Sequence, residues 1–464
     1  MPEMPAESAS ATAPARPALA FVVILAGVCA ALHIGKLPPA ITALQHSLGL
    51  GLVQAGFLLS GVQVAGMTAG VAFGALADGL GLKRSMVLGL VILALASALG
   101  AAVQNTGWLL ALRALEGLGF LLVVLPAPGL VRRLVPPGRV NVMLSVWGGF
   151  MPFGTALALL IGPLWIETLG WRAWWLALAA VALAMAVWLA RAVPSRAGSA
   201  PAVMRDPQPG AVAAPAVARK AQPGSVAAPA VARVAQSRST TAWATASAPS
   251  WLARLRQTLA RRGPWLVAIT FAAYSSQWLA VIGFLPTIYL QAGITGATTG
   301  VLTALAAAVN MIGNLGAGRL LHRGVRPPTL LATGFVVMGV AAAAAFAGGP
   351  GAGLPAWARY AAVLAFSMVG GLIPATLFSL AVRVAPSEQT ISSTVGWVQQ
   401  WSAFGQFAGP PLVAWVASRA GGWQWTWTVT GALALLGWAL AGWIGRTVGE
   451  ARAEPERGAA SSAR

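Results

Sequence analysis

Acidic side chains are scarce in this chain: ten Asp and Glu stand among 464 residues, and all charged residues together make up 9%. Soluble domains carry about 25% charged residues because their surfaces must be hydrated, so an ordinary water-soluble fold is excluded. Cysteine is nearly absent. Cys29 is the single one, which excludes an intramolecular disulfide and every CxxC or Cys/His metal spacing. His33, His46 and His322 are too scattered to form a metal site by themselves. No G-x-x-x-x-G-K-[ST] phosphate loop occurs, so ATP does not drive the protein, and no cofactor is expected. The clustered His, Asp, Glu or nucleophile that a membrane-embedded enzyme needs is also missing.

Apolar residues are what the chain has: 58% of the total, with a mean hydropathy of +0.75. Six apolar stretches run over 19–40, 53–77, 84–104, 107–131, 141–166 and 172–193. Six more run over 264–290, 297–320, 328–348, 356–382, 389–417 and 424–446. Each is near the ~20 residues a helix needs to cross ~30 Å of hydrocarbon. Barrel strands would be about half as long and alternate in polarity, so the expected fold is an all-α polytopic membrane protein of twelve transmembrane helices.

The formal charge of +20 does not mark a nucleic-acid protein, because the basic residues are not gathered on one surface. Eleven of the 30 Lys and Arg fall between Arg191 and Arg262. Counted over alternate gaps, 25 of the 30 collect on one side, which predicts a cytoplasmic linker and cytoplasmic termini. The chain then divides into a tail over 1–18, a six-helix bundle over 19–193, a linker over 194–263, a second bundle over 264–446 and a tail over 447–464. The first tail, polar with Glu3 and Glu7, is unlike a basic secretory leader. In the linker PGAVAAPAVARKAQ (209–222) recurs as PGSVAAPAVARVAQ (223–236), a composition that predicts disorder. At its end Trp251, Leu252, Leu255 and Leu259 alternate with arginines, which suits either a helix on anionic headgroups or a basic spacer.

The two bundles repeat each other. Residues 74–81, GALADGLG, match 318–324, GRLLHRG; Arg133 to Pro136 matches Arg383 to Pro386. Phe153-Gly154 matches Phe404-Gly405, Gly162-Pro163 matches Gly409-Pro410, and Gly170-Trp171 matches Gly422-Trp423. Five matches in one order make a six-plus-six duplication.

With that duplication, the loop Gly74-Ala-Leu-Ala-Asp78-Gly-Leu-Gly81-Leu-Lys83-Arg84 resembles the major facilitator superfamily pattern G-x-L-x-D-R-x-G-R-R/K. Arg113-Ala-Leu-Glu116-Gly117-Leu-Gly119 is similar to the family's R-x-L-x-G-x-G. The end of the first span, His33-Ile-Gly35-Lys36-Leu-Pro-Pro, resembles cyanate-permease-like members. The resemblance covers the chain apart from tails and linker. It implies two pseudo-symmetric bundles, alternating access, a site near the midplane, a monomer in an inner membrane, and partners limited to the lipid bilayer, protons and a small solute. Gly79 and Leu82 stand where that pattern has arginines, and the fifth span lacks the full glycine spacing of proton-coupled antiporters, so the direction of transport stays open.

The resemblance also assigns roles. Asp78, with Gly74, Gly81, Lys83 and Arg84, is expected as a gate latch meeting the start of the eleventh span near Ser387 to Gln389; the alternative is a charge that marks the membrane edge. Arg113 and Glu116, three residues apart on one helix face, are expected to pair inside the protein, as a structural pair or as a proton relay. Lys36 has no acidic neighbour in its own span: it either snorkels to the interface or, with His33, makes the cavity electropositive. Tyr274, Gln277, Trp278, Asn310, Asn314, Gln399, Gln400 and Trp401 either line the cavity or join helices. Most of the 20 tryptophans, Trp171, Trp174, Trp175, Trp423, Trp425 and Trp427 among them, are expected as interface anchors. These residues favour proton-coupled uptake of a small anion; the alternatives are antiport of a hydrophobic compound and a sensor without flux.

Overall fold

The computed structural model of the chain describes residues 17–68, 70, 80–194, 251–348 and 353–462. These are almost all helical, and nine helices among them are long and apolar enough to cross a membrane. In the first half, α1 is Pro17–Gly35, α2 starts as Leu52–Ser60, α3 is Leu82–Ala102, and α4 is Thr106–Val124 continued by Ala127–Leu134. α5 starts as Val140–Gly148 and continues into Phe150–Ala192, where Gly170 (φ 83°, ψ 163°) breaks the chain direction and α6 begins. In the second half, α7 is Arg262–Gln291 and α8 is Gly296–Ala308 continued by Asn310–His322. Then come α9, Pro327–Phe346, and α10, Ala356–Gly370 continued by Leu372–Arg383. α11 is Ile391–Ala420 and α12 is Thr426–Ser462.

α6 ends and α7 begins at one end of the molecule, here the linker end; the opposite is the far end. The linker was expected over 194–263. Residues 195–250, with the repeat, lie outside the described residues, but Trp251–Leu259 is helical and packs on the turn before α11 and on α11 itself, with Thr258 fully buried. That helix turns its buried side to protein and leaves Leu252 and Arg256 outward. At the other terminus α12 runs on to Ser462, through the stretch expected as a tail.

Small residues set how closely the helices approach, as they do where lipid supplies no hydrophobic drive between helices. A Cβ on Gly154 of α5 would lie 2.6 Å from the Val28 carbonyl oxygen of α1. Its counterpart in the repeat, Gly405 of α11, is pressed in the same way on the Ala272 carbonyl of α7. The duplication read from Phe153-Gly154 and Phe404-Gly405 is thus the same helix contact made twice. Gly154→Val and Gly405→Val are each expected to lower stability by at least about 1–3 kcal/mol through overpacking, read as a fall in Tm of the purified protein.

The halves meet along two seams. α2 lies on α11, where Gly56 faces Pro411, and α5 lies on α8, where a Cβ on Gly300 would sit 2.7 Å from the Leu160 carbonyl oxygen. At the far end one apolar cluster takes Leu37, Ile41, Leu58 and Leu59 from the first half and Phe284 and Ala414 from the second, which seals that end. Trp171, Trp174 and Trp175, expected as interface anchors, are instead buried in this cluster, because the start of α6 folds back over the end of α1. Trp425 remains exposed.

Candidate functional site

Four ionisable side chains meet inside the first half, behind the far-end seal. His33 sits in the last turn of α1 and Lys36 just past it, while Arg113 and Glu116 lie one turn apart on α4. Close contact between α1, α2 and α4 brings them together; Gly117 of α4, whose hydrogen faces the Val62 carbonyl, lets α2 approach this nearly. His33, Lys36 and Arg113 are fully buried and Glu116 is 1% exposed.

Glu116 is the hub. Its Oε1 accepts from Lys36 Nζ and its Oε2 from Arg113 Nη1, and His33 Nδ1 lies 4.0 Å from Oε1. Arg113 and Glu116 therefore pair as their spacing predicts. Lys36 does not snorkel: it is fully buried and bound to a carboxylate of another span. Its ammonium also donates to Ser97 Oγ of α3 at 2.9 Å and lies 4.6 Å over the Trp175 ring. Trp174 Nε1 donates to the Lys36 carbonyl at 3.2 Å. Two tryptophans read as anchors thus form the wall against which the lysine is held.

Arg113 reaches beyond the carboxylate. Its Nη1 donates to the His33 carbonyl at 2.9 Å and its Nε to the Leu58 carbonyl of α2 at 3.3 Å. Next to that contact α2 is interrupted by a 3-10 turn over Gly61–Gln63, and a Cβ on Gly61 would lie 3.2 Å from the Arg113 Cβ. Leu59, one residue after the accepting carbonyl, presses on Gly283 of α7 across the seam. The charge cluster is therefore tied through one guanidinium to the segment that seals the far end. Both ring nitrogens of His33 lack a hydrogen-bond partner.

In the second half Tyr274, Trp278 and Asn310 come together. Asn310 Nδ2 donates to the Tyr274 hydroxyl at 3.1 Å and to the Ser367 carbonyl at 2.8 Å, and Trp278 Nε1 donates to Ser367 Oγ at 3.1 Å. Asn314 Nδ2 caps the set on Asn310 Oδ1 at 2.8 Å. Asn310→Ala is expected to lower stability by about 1–3 kcal/mol, since the Ser367 carbonyl loses its side-chain donor; thermal unfolding of the purified protein checks it. Gln277 stays apart, fully buried, with its Nε2 on the Ala273 carbonyl of its own helix and its Oε1 without a partner.

Gln400 bridges the halves: its Nε2 donates to the Met67 carbonyl of α2 at 2.9 Å. Beside it runs a contact that the sequence reading missed, Gln63 Nε2 to Gln406 Oε1 at 2.9 Å. Two amides at membrane depth, one in each half, were the available signal. Of the expected gate residues, Gly74 and Asp78 lie outside the described residues. Gly81 (φ 84°) turns the chain into α3, and Arg84 is exposed. Lys83 Nζ donates to the Ala190 carbonyl at 2.8 Å, on the last turn of α6, so it joins two helices of one half.

Comparison with known proteins places this geometry. The Major Facilitator Superfamily profile matches residues 23–404. The tetracenomycin C resistance and export protein of Streptomyces glaucescens is 28% identical over 131 residues, which are 28% of this chain and 24% of that one. The methyl viologen resistance protein SmvA of Salmonella typhimurium is 33% identical over 127 residues, 27% of this chain and 26% of that one. The match thus spans about a quarter of the length of these relatives. A bacterial homologue of the human lysosomal transporter Spinster, solved inward-facing, has the same fold at 14% identity. Its occupied and unoccupied forms give TM-scores of 0.71 and 0.67, over 94% of this chain and 98% of that one.

Proposed function

This chain belongs to the Major Facilitator Superfamily, and we propose that it is a secondary transporter whose proton coupling runs through Glu116. The observation that carries the reading is one carboxylate shared between Lys36 of the α1 end and Arg113 of α4, with Arg113 also holding the Leu58 carbonyl of α2. Among the described residues Glu116 is the only buried carboxylate. Ionised, it fixes both cations. Protonated, it releases them, Arg113 loses its anchor, and the α2 segment that seals the far end is freed to move.

Export of a hydrophobic compound by antiport is the direction best supported. The case for an anion rested on Lys36 and His33 making the cavity electropositive, and Glu116 neutralises part of that charge by binding the lysine. The relatives named above are resistance and export proteins. Uptake of a small anion stands as the second reading, since Lys36 and Arg113 against Glu116 leave the cluster one positive charge in excess. Both readings place a monomer in an inner membrane with linker and termini cytoplasmic, which the basic bias of that side supports.

The test is flux in proteoliposomes under an imposed pH gradient, with a hydrophobic organic cation and a panel of small organic anions. Export by antiport predicts that the hydrophobic compound moves against the proton flow. Anion currents that follow the protons would put uptake in its place. Flux that ignores the pH gradient would remove the coupling role of Glu116.

A further inference from the structure

α9 and α12 pack closely at mid-membrane and touch again at the linker end, where a Cβ on Gly445 would lie 3.4 Å from Pro328. A Cβ on Gly339 would lie 3.2 Å from Ala434, and Gly437 is pressed on the Phe335 ring. Alongside these contacts, on the outer side, a crevice of about 790 Å³ opens between Pro328, Thr329 and Ala332 on one wall and Trp438, Gly442 and Trp443 on the other, with Arg446 at its rim. Nothing lies within 4 Å of where a Cβ of Gly442 would stand, so the glycine leaves the groove open.

The crevice faces outward. Its neighbours Leu435, Trp438, Trp443, Val336 and Val340 are all exposed large apolar side chains on helices long enough to span the bilayer, so they face hydrocarbon. Pro328 and Arg446 stand at the ends of their spans, which puts the rim at headgroup level. Arg446 is exposed there, Arg326 is exposed two residues before Pro328, and among the described side chains no acidic one lines the space.

We propose that this crevice binds an anionic phospholipid, with the acyl chain along the Gly442 groove between Trp438 and Pro328 and the phosphodiester on Arg446. The chemistry fits each part. An apolar slot continuous with the lipid-facing surface takes a chain, indole rings sit at the interface where their amphipathic character is satisfied, and a guanidinium offers a paired donor to phosphate oxygens. Arg446 and Trp438 are remote from the Glu116 cluster, so the site stands or falls apart from the coupling reading.

Native mass spectrometry of the purified full chain in detergent tests it, with phosphatidylglycerol, phosphatidylcholine and inorganic phosphate as probes. One phosphatidylglycerol should be retained in preference to phosphatidylcholine. Arg446→Gln should weaken that retention roughly tenfold or more, the scale of one charge-assisted contact of about 1.5–3 kcal/mol. Arg446→Lys should keep most of it, and Trp438→Ala should lower it. Equal retention by wild type and Arg446→Gln, or equal retention of phosphatidylcholine, would overturn the proposal. Displacement of the lipid by millimolar phosphate would do so too, by showing an ion site instead.

Discussion

Glu116→Gln is expected to abolish flux driven by a pH gradient and to destabilise the protein by about 3–5 kcal/mol, the scale for removing one partner of a buried ion pair. The reason is charge arithmetic. Glu116 balances one of two buried cations, and its loss leaves Lys36 and Arg113 facing each other with no carboxylate between them. Lys36→Met removes the excess charge and leaves Arg113 and Glu116 as a neutral pair, so its effect on stability should be much smaller. The double variant Lys36→Met/Glu116→Gln should recover part of the loss, because only one cation is then uncompensated. Arg113→Met should be more damaging than Lys36→Met, since the His33 and Leu58 carbonyls both lose their donor. Thermal unfolding in detergent and flux in proteoliposomes read the series together. A Glu116→Gln protein with wild-type Tm and wild-type coupling would show that the cluster neither holds the fold nor carries the proton.

Gly300→Leu is expected to reduce transport to background while each half remains folded. A Cβ on Gly300 would already crowd the Leu160 carbonyl at 2.7 Å, and a leucine cannot be accommodated without parting α8 from α5. Overpacking of about 1–3 kcal/mol at this seam corresponds to a shift of about 5–150-fold in the balance between sealed and open far ends. A thiol probe reads this shift. Cys29 is the single native cysteine and is 4% exposed, so Ala414→Cys, at a position that is fully buried in the sealed form, reports opening. Labelling from the far face by a membrane-impermeant maleimide should rise at least about fivefold when Gly300→Leu is added. Unchanged labelling with unchanged flux would mean that this seam does not gate the far end.

Much of the architecture was legible because lipid imposes a strong pattern: long apolar runs, basic gaps and a repeat marked by paired Gly-containing motifs. The Arg113–Glu116 pair was legible too, since three residues on a helix fix a shared face. Lys36 was not. Its partner lies on another span, 80 residues away, and the axial register of α1 against α4 leaves no trace in composition. The same limit misplaced Trp171, Trp174 and Trp175. In a bilayer, core-facing and lipid-facing positions are equally apolar, so a tryptophan at the end of a span reads as an anchor whether it points outward or under a lysine. Gln63 and Gln406 were ordinary amides until the seam between α2 and α11 put them 2.9 Å apart.

The 3-10 turn over Gly61–Gln63 is wound more tightly than the helix on either side of it. A 3-10 turn advances about 120° and 2.0 Å per residue where an α-helix advances about 100° and 1.5 Å. Relaxing those three residues to α geometry would rotate the linker-side half of α2 by about 60° and draw it in by about 1.5 Å relative to the far-side half. That screw motion would turn Gln63 away from Gln406 and pull the Met67 carbonyl from Gln400. Arg113, packed on Gly61 and bound to the Leu58 carbonyl on the far side of the turn, would have to give way for that screw motion to occur.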